Sequence, residues 1–319
     1  MKRFFLTVCT LVIIEMNVFA CANMAGPGTS KSGELHSVSR TASLQIRSNI
    51  KRDGSDARML ELANRLQGAT DLKSRNDYAV ALMHLGRAKE SITILQQIET
   101  EAPGLYYTAS NLGTAFELSG NNVEAIKWIR QGMVRNPQSH DGTEWLHVRI
   151  LEAKIRGESD PKYLATHTIT GADYARLNKA EETGANFDGH QLSVTEINKA
   201  LHYQLLERVG FVSPPDPVVA SMLAEFAETM AIVKTIQDAK SIFSLAKEYG
   251  YDPQKITARK AELDQRLRLF SFQHWFIGGG IALAVAASMA YSKRNQSTLF
   301  RGNGQMESFV LYPTGCKPS

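Results

Sequence analysis

LKSRNDYAVALMHLGRAKESITILQQIETEAPGL (residues 72–105) runs directly into YYTASNLGTAFELSGNNVEAIKWIRQGMVRNPQS (residues 106–139). The two stretches are equal in length and can be laid over one another. Gly86 falls on Gly120 and Pro103 on Pro137, each pair 34 residues apart. Tyr78-Ala79 fall on Leu112-Gly113, Leu82 on Phe116, Ser91 on Ala125, Leu95 on Ile129 and Ile98 on Gly132. Self-similarity at this period marks one supersecondary unit used twice. Within each unit, apolar residues recur at helical spacing on both sides of the glycine. Proline closes the second run because it cannot extend a helical hydrogen-bond ladder. Each block therefore reads as helix, tight turn, helix. Ala79, Gly113, Ala125 and Gly132 are small enough to let paired helices approach, while Leu82, Phe116, Leu95 and Ile129 fill the space between them.

Two such hairpins bury their apolar faces only against further neighbours, and the flanking sequence supplies them. Asp56 to Gln67 carries Met59, Leu62, Ala63 and Leu66 at helical spacing. Thr143 to Ile155 carries Trp145, Leu146, Ile150 and Ala153, and continues the phase as the first helix of a third unit. Residues 56–156 are thus expected to form the repeat domain. A degenerate unit is also read over Ala220 to Pro253, from Phe226-Ala227, Met230, Ala239, Phe243 and Ala246; chance likeness among amphipathic helices is the competing reading.

At this point the chain resembles the tetratricopeptide repeat family. The second block carries the pattern well: Leu112-Gly113, Phe116, Gly120, Ala125, Ile129 and Pro137. The first departs from it with Ser91 and Ile98 where small residues are expected, and both lack the tryptophan often found near the start. The resemblance implies an all-α, antiparallel helix-hairpin solenoid. It further implies a protein- or peptide-binding groove lined by Lys73, Asn76, Val80 and Met83 of the first block and Tyr107, Ser110, Thr114 and Glu117 of the second. Lys73 and Asn76 resemble part of the family's clamp for a terminal carboxylate, without its other basic members.

Beyond the repeats, residues 157–253 are expected to be a further helical region with loops. Asp160 to Gln191 holds Gly171, Gly184 and Gly189 among polar residues and reads as long loops or a small inserted element. Ser193-Val194-Thr195-Glu196 has the form of a capping box, predicting a helix to about Val209. Pro214-Pro215-Asp216-Pro217 breaks the chain, with Asp216 placed to cap a helix that has Pro217 in its first turn.

Both ends carry membrane signals. Met1-Lys2-Arg3 precedes an apolar run from Phe4 to Ile14, and small residues follow at Ala20-Cys21-Ala22. This is the form of a secretory signal, so residues 1–22 are read as a signal peptide or N-terminal anchor. Val18-Phe19-Ala20-Cys21 resembles a lipobox, which would lipidate Cys21; cleavage after Ala22 and retention as an anchor are the alternatives. Residues 23–55 are polar and read as a linker. Near the other end, Trp275 to Tyr291 is free of charge, bounded by interfacial aromatics and followed by Lys293 and Arg294. With the residues back to Phe270 it reaches the ~20 residues a bilayer span needs. Residues 254–269 are expected to be a juxtamembrane helix, 270–292 a C-terminal transmembrane helix and 293–319 a short tail. Gly278, Ala282, Ala286 and Ala290 recur every four residues, which would suit a homodimer through the membrane helix. Export by the first signal puts the soluble domain on the periplasmic side if the cell is bacterial, with the tail cytoplasmic.

Composition removes several classes. Hydrophobic content of 43% with 21% charged residues suits a folded protein, not a disordered one. The net charge of +4 comes from scattered basic residues, so nucleic acid is not expected as a partner. Cys9, Cys21 and Cys316 lie near the ends, which removes a disulfide-stapled core and a thiolate metal site in the body. No HExxH, phosphate-cradling loop or nucleophile elbow is present. His140 and His147 could share a helix face with Asp141 or Glu144 as a metal site, but capping or surface histidines are the stronger reading. No cofactor and no catalytic set are expected. The functional expectation is a membrane-anchored scaffold for protein–protein interactions in the cell envelope. The alternatives are an accessory subunit of an envelope enzyme or transport complex with its active region in 157–253, or a spacer between two anchors.

Overall fold

The computed structural model describes residues 27–32, 34–37, 41–50 and 55–269. The expected signal with Cys21, the 270–292 span with its small-residue stripe, and the tail lie outside them. Within them the chain is mostly helical, and no helix there is long and apolar enough to cross a membrane.

A short antiparallel hairpin, β1 (Pro27–Thr29) and β2 (Leu35–Ser37), leads into α1 (Thr41–Asn49) and α2 (Ser55–Leu66). Four helices follow: α3 (Leu72–His84), α4 (Ala88–Glu101), α5 (Tyr106–Leu118) and α6 (Asn122–Arg135). Consecutive members from α2 to α6 pack on one another, and α3 also touches α5. Local sequence sets their ends. The Asp71 side chain accepts from the Ser74 N–H to cap α3, and Asn121 does the same for α6 from Glu124. Gly86 (φ 75°) and Gly120 (φ 87°) turn the chain in the left-handed region, where a side chain is costly. The closest approach is between α5 and α6: a Cβ on Gly113 would lie 2.4 Å from Ile129 Cδ1, and one on Gly132 2.8 Å from Ser110 Oγ. Ala79, Leu95, Ile98, Leu112 and Ala115 are fully buried between these helices. Burial of each large apolar side chain is worth about 1.5–3 kcal/mol.

The remainder is built differently. A 3-10 turn at Ser139–Gly142 leads into α7 (Glu144–Ser159), which packs on α6, and then into the short α8 (Tyr163–Thr166). A hairpin of β3 (Thr183–Phe187) and β4 (His190–Ser193) turns through Asp188 and Gly189, both left-handed, the backbone that a two-residue hairpin turn demands. The Ser193–Glu196 capping box is formed at the start of α9 (Val194–Arg208). Asp216 caps α10 (Pro217–Val233), and α11 (Ile236–Glu248) folds back on it. A last helix, α12, covers 253–269. One apolar core joins α6, α7, the β3–β4 hairpin and α9 to α11, with Ile256 and Leu263 of α12.

Two expectations change. Residues 23–55, read as a linker, hold packed structure from residue 27 onward. Ile46 of α1 is fully buried, as are Ser30 and Lys31 between the two short strands. The Lys31 N–H donates to Ala231 O at 2.6 Å, and its Nζ donates to Tyr174 O at 2.5 Å and Leu177 O at 2.6 Å. A polar composition conceals this because the burial is satisfied by backbone carbonyls rather than by apolar contact. Residues 254–269 are indeed helical, but as part of the body: Leu263 is fully buried and Arg259 grips Glu228 through two bonds of 2.6 Å.

Candidate functional site

The first helices of the two hairpins, α3 and α5, lie side by side and present one face. Asn111 Nδ2 donates to Asn76 Oδ1 at 2.8 Å and links them midway. Toward their C-terminal ends the face sinks into a hollow of about 400 Å³, lined by Val80, Met83, Asn111, Thr114 and Glu117 among others. Four of the eight residues assigned to the groove thus meet in one concavity: Val80, Met83, Thr114 and Glu117. Lys73 is exposed and Tyr107 half-buried on the same two helices. Asn76 is nearly buried by its bond to Asn111, and Ser110 faces Gly132 of α6.

The far wall of the hollow is the chain itself. Residues 204–212, from the end of α9 onward, line it opposite α3 and α5. Phe211 stacks on His84 with ring centroids 4.0 Å apart. Arg208 reaches Glu117, donating from Nη1 to Oε1 at 2.6 Å and from Nη2 to Oε2 at 3.2 Å. Lys154 Nζ also donates to Oε1, at 2.9 Å, and His147 Nε2 donates to Oε2 at 2.7 Å. The other ring nitrogen of His147 faces Glu144 at 3.3 Å, and Glu144 in turn takes His140.

This cluster is almost dry, with Glu117 6%, His147 7% and Glu144 3% exposed. Burial alone would raise the Glu117 carboxyl; Arg208, His147 and Lys154 hold it well below the usual carboxylate range. Burial likewise opposes charge on His147, but its bonds to Glu117 and Glu144 lift it to about 9. Glu144, pushed up by burial and pulled down more strongly by His140 and His147, stands at about 2. An imidazole gripped from both sides by carboxylates stays protonated near neutrality, so it is a poor general base. Chemically the cluster is a clamp of fixed charges that ties α5, α7 and α9 together. His140 and Asp141, both left-handed at φ 48° and 62°, form the tight turn that brings His140 to Glu144.

His140 and His147 thus share Glu144, but His140 lies in the turn before α7 rather than on its helical face. The partners across the hollow, Arg208 and Phe211, carried no sequence signal, since they lie 91 residues from Glu117 and 127 from His84. A second hollow, of about 800 Å³, opens between α7, α10 and the start of α12. No family model matches the chain, and no curated protein does.

Proposed function

We propose that this protein is a membrane-attached helical-repeat adaptor that holds a segment of a partner protein in the groove of α3 and α5. The observation that carries the reading is the recurrence of α3–α4 in α5–α6, with helix starts at 72 and 106 and at 88 and 122. Repetition of this kind builds a continuous face from successive first helices. The Asn76–Asn111 pair leaves Asn111 Oδ1 with no protein donor among the described residues, an acceptor suited to a peptide N–H. The clamp at Glu117 bounds the groove at one end, so the partner segment would lie over Lys73, Tyr107, Val80 and Thr114. Attachment at both ends to one bilayer accords with Lys31 and Arg266 bonding to the adjacent residues Leu177 and Asn178. The same proximity speaks against a spacer between separated anchors.

The test is photocrosslinking in intact membranes. A photoreactive side chain at Thr114 should give a discrete protein adduct that one at Val134, 77% exposed on α6, does not. Equal adducts at both positions, or none at Thr114, would sink the groove reading. A second reading, an accessory subunit active through 157–253, draws on the larger hollow, most of whose lining falls in that stretch.

A further inference from the structure

The 800 Å³ hollow is of the size that takes a small molecule. Its inner wall is apolar: Ile169, Ala172, Ala224 and Phe243 are each at most 6% exposed and belong to the main core. Its rim is charged, and the two signs are engaged very differently.

Every carboxylate in the lining has a partner within the protein. Glu228 is held by both arms of Arg259. Glu152 accepts from Arg149 at 3.2 Å, and Asp173 faces Arg176 at 3.1 Å. Glu225, 5% exposed, is the most enclosed. It accepts from the N–H groups of Ile169 (2.6 Å) and Thr170 (3.1 Å), from Thr170 Oγ1 (2.7 Å) and from the Tyr174 hydroxyl (3.3 Å). Burial raises its pKa, but four donors occupy its oxygens, so it fixes the loop that forms the rim rather than meeting a ligand. Arg149 and Arg259 are consumed by these pairs, but Arg156 and Lys255 are not. Arg156 donates to no carboxylate among the described residues and lies over the Tyr163 ring at 5.9 Å. His167 stacks on the same ring at 4.4 Å. Lys255 has one partner, the Ala165 carbonyl at 2.7 Å, and retains two donors. Both Arg156 and Lys255 are exposed at the rim.

We infer that this hollow binds a small amphiphilic anion, its apolar or aromatic body against Ile169, Ala172, Ala224 and Phe243 and its carboxylate or phosphate head at Arg156 and Lys255. The chemistry follows from the asymmetry: an anionic head finds free N–H donors at Arg156 and Lys255, while a cationic head finds each lining carboxylate already paired with a donor of the protein. Guanidinium binds such heads through paired donors. Tyr163 and His167, stacked beside Arg156, offer a flat surface to an aromatic body.

The experiment is calorimetric titration of the full chain in nanodiscs, against empty nanodiscs, with naphthalene-1-acetate and octanoate. Naphthalene-1-acetamide and inorganic phosphate are the comparison ligands. The inference expects saturable binding of at least one carboxylate, and at least tenfold weaker binding of both the amide and free phosphate. It also expects at least a tenfold loss in Arg156→Gln/Lys255→Gln. Both substitutions are at exposed positions, and an unchanged melting temperature shows that the variant folds. Equal affinity for acid and amide would overturn the inference, as would phosphate binding as well as the amphiphiles. So would no binding by either carboxylate, or undiminished binding in the double variant. Thr114 crosslinking is independent of these titrations, so either result can fail alone.

Discussion

Two hollows of this molecule, the one of about 400 Å³ and the one of about 800 Å³, are both rimmed by charge, and they differ in what the charge is for. In the groove of α3 and α5 every member of the Glu117 cluster faces an opposite charge, at 4–9% side-chain exposure for Glu117, His147 and Arg208. In the larger hollow the carboxylates are likewise engaged, but Arg156 and two donors of Lys255 are not. The difference teaches how to separate architecture from recognition when neither carries a sequence motif. A buried set of charges paired with one another holds elements together. A half-exposed set with one sign left over awaits something from outside.

The comparison breaks first at Glu117. Glu117→Ala leaves Arg208 and His147 buried without their carboxylate, a loss of about 3–5 kcal/mol. Urea unfolding monitored by circular dichroism reads it directly, and a loss below ~1 kcal/mol would show the cluster to be dispensable. Next comes Gly113→Ala, whose added methyl meets Ile129 Cδ1 at 2.4 Å and the Ile129 backbone nitrogen at 3.2 Å. Overpacking there should cost about 1–2 kcal/mol after the gain in helix propensity, visible as a lower melting temperature.

The pH dependence is gentler and tests the charge states. His147 titrates at about 9 folded against 6.5 unfolded, so its stabilisation is complete below 6.5 and fades toward 9, by about 1 kcal/mol per pH unit. Lys31 runs the other way. Burial, then the charge of Arg259, lowers it from 10.5 to about 8, so stability rises with pH between 8 and 10.5. Urea melts should show a clear fall from pH 6.5 to 8, then a flattening; in Lys31→Met the fall should continue above 8. A flat profile below 8 would mean that His147 is not held as imidazolium. On the acid side Glu144, at about 2, withdraws its contribution as pH drops from 4.5. The smallest effect belongs to the larger hollow: Arg156→Gln, having no ion pair to break, should stay within about 0.5 kcal/mol of wild type. A larger loss would mean that Arg156, too, is architecture.

The helices of the two hairpins were legible because their signals are local. Gly86 and Gly120 make their turns, and Asp216 and Ser193 cap the helices that follow them, all within a few residues. Val80 and Thr114 were assigned to one face only by the family resemblance; in the structure both line the hollow of about 400 Å³. What could not be read is the contact between distant segments. Nothing near Arg208 announces Glu117, and nothing near Lys31 announces Tyr174 and Leu177. The β3–β4 hairpin hid for a different reason: its strands are four or five residues long, and only Asp188-Gly189 signals the turn.

The meeting of Lys31 with the surroundings of Arg266 has a thermodynamic consequence. If both ends are held in one bilayer, as proposed above, the chain cannot open into a full random coil when it unfolds. Closing a loop of more than two hundred residues costs entropy that grows with the logarithm of its length, and fixed ends would impose most of that cost on the unfolded chain as well. Held so, the folded body competes against a poorer ensemble. Under that proposal the same domain cut free of its two anchors should melt earlier although not one of its internal contacts has changed.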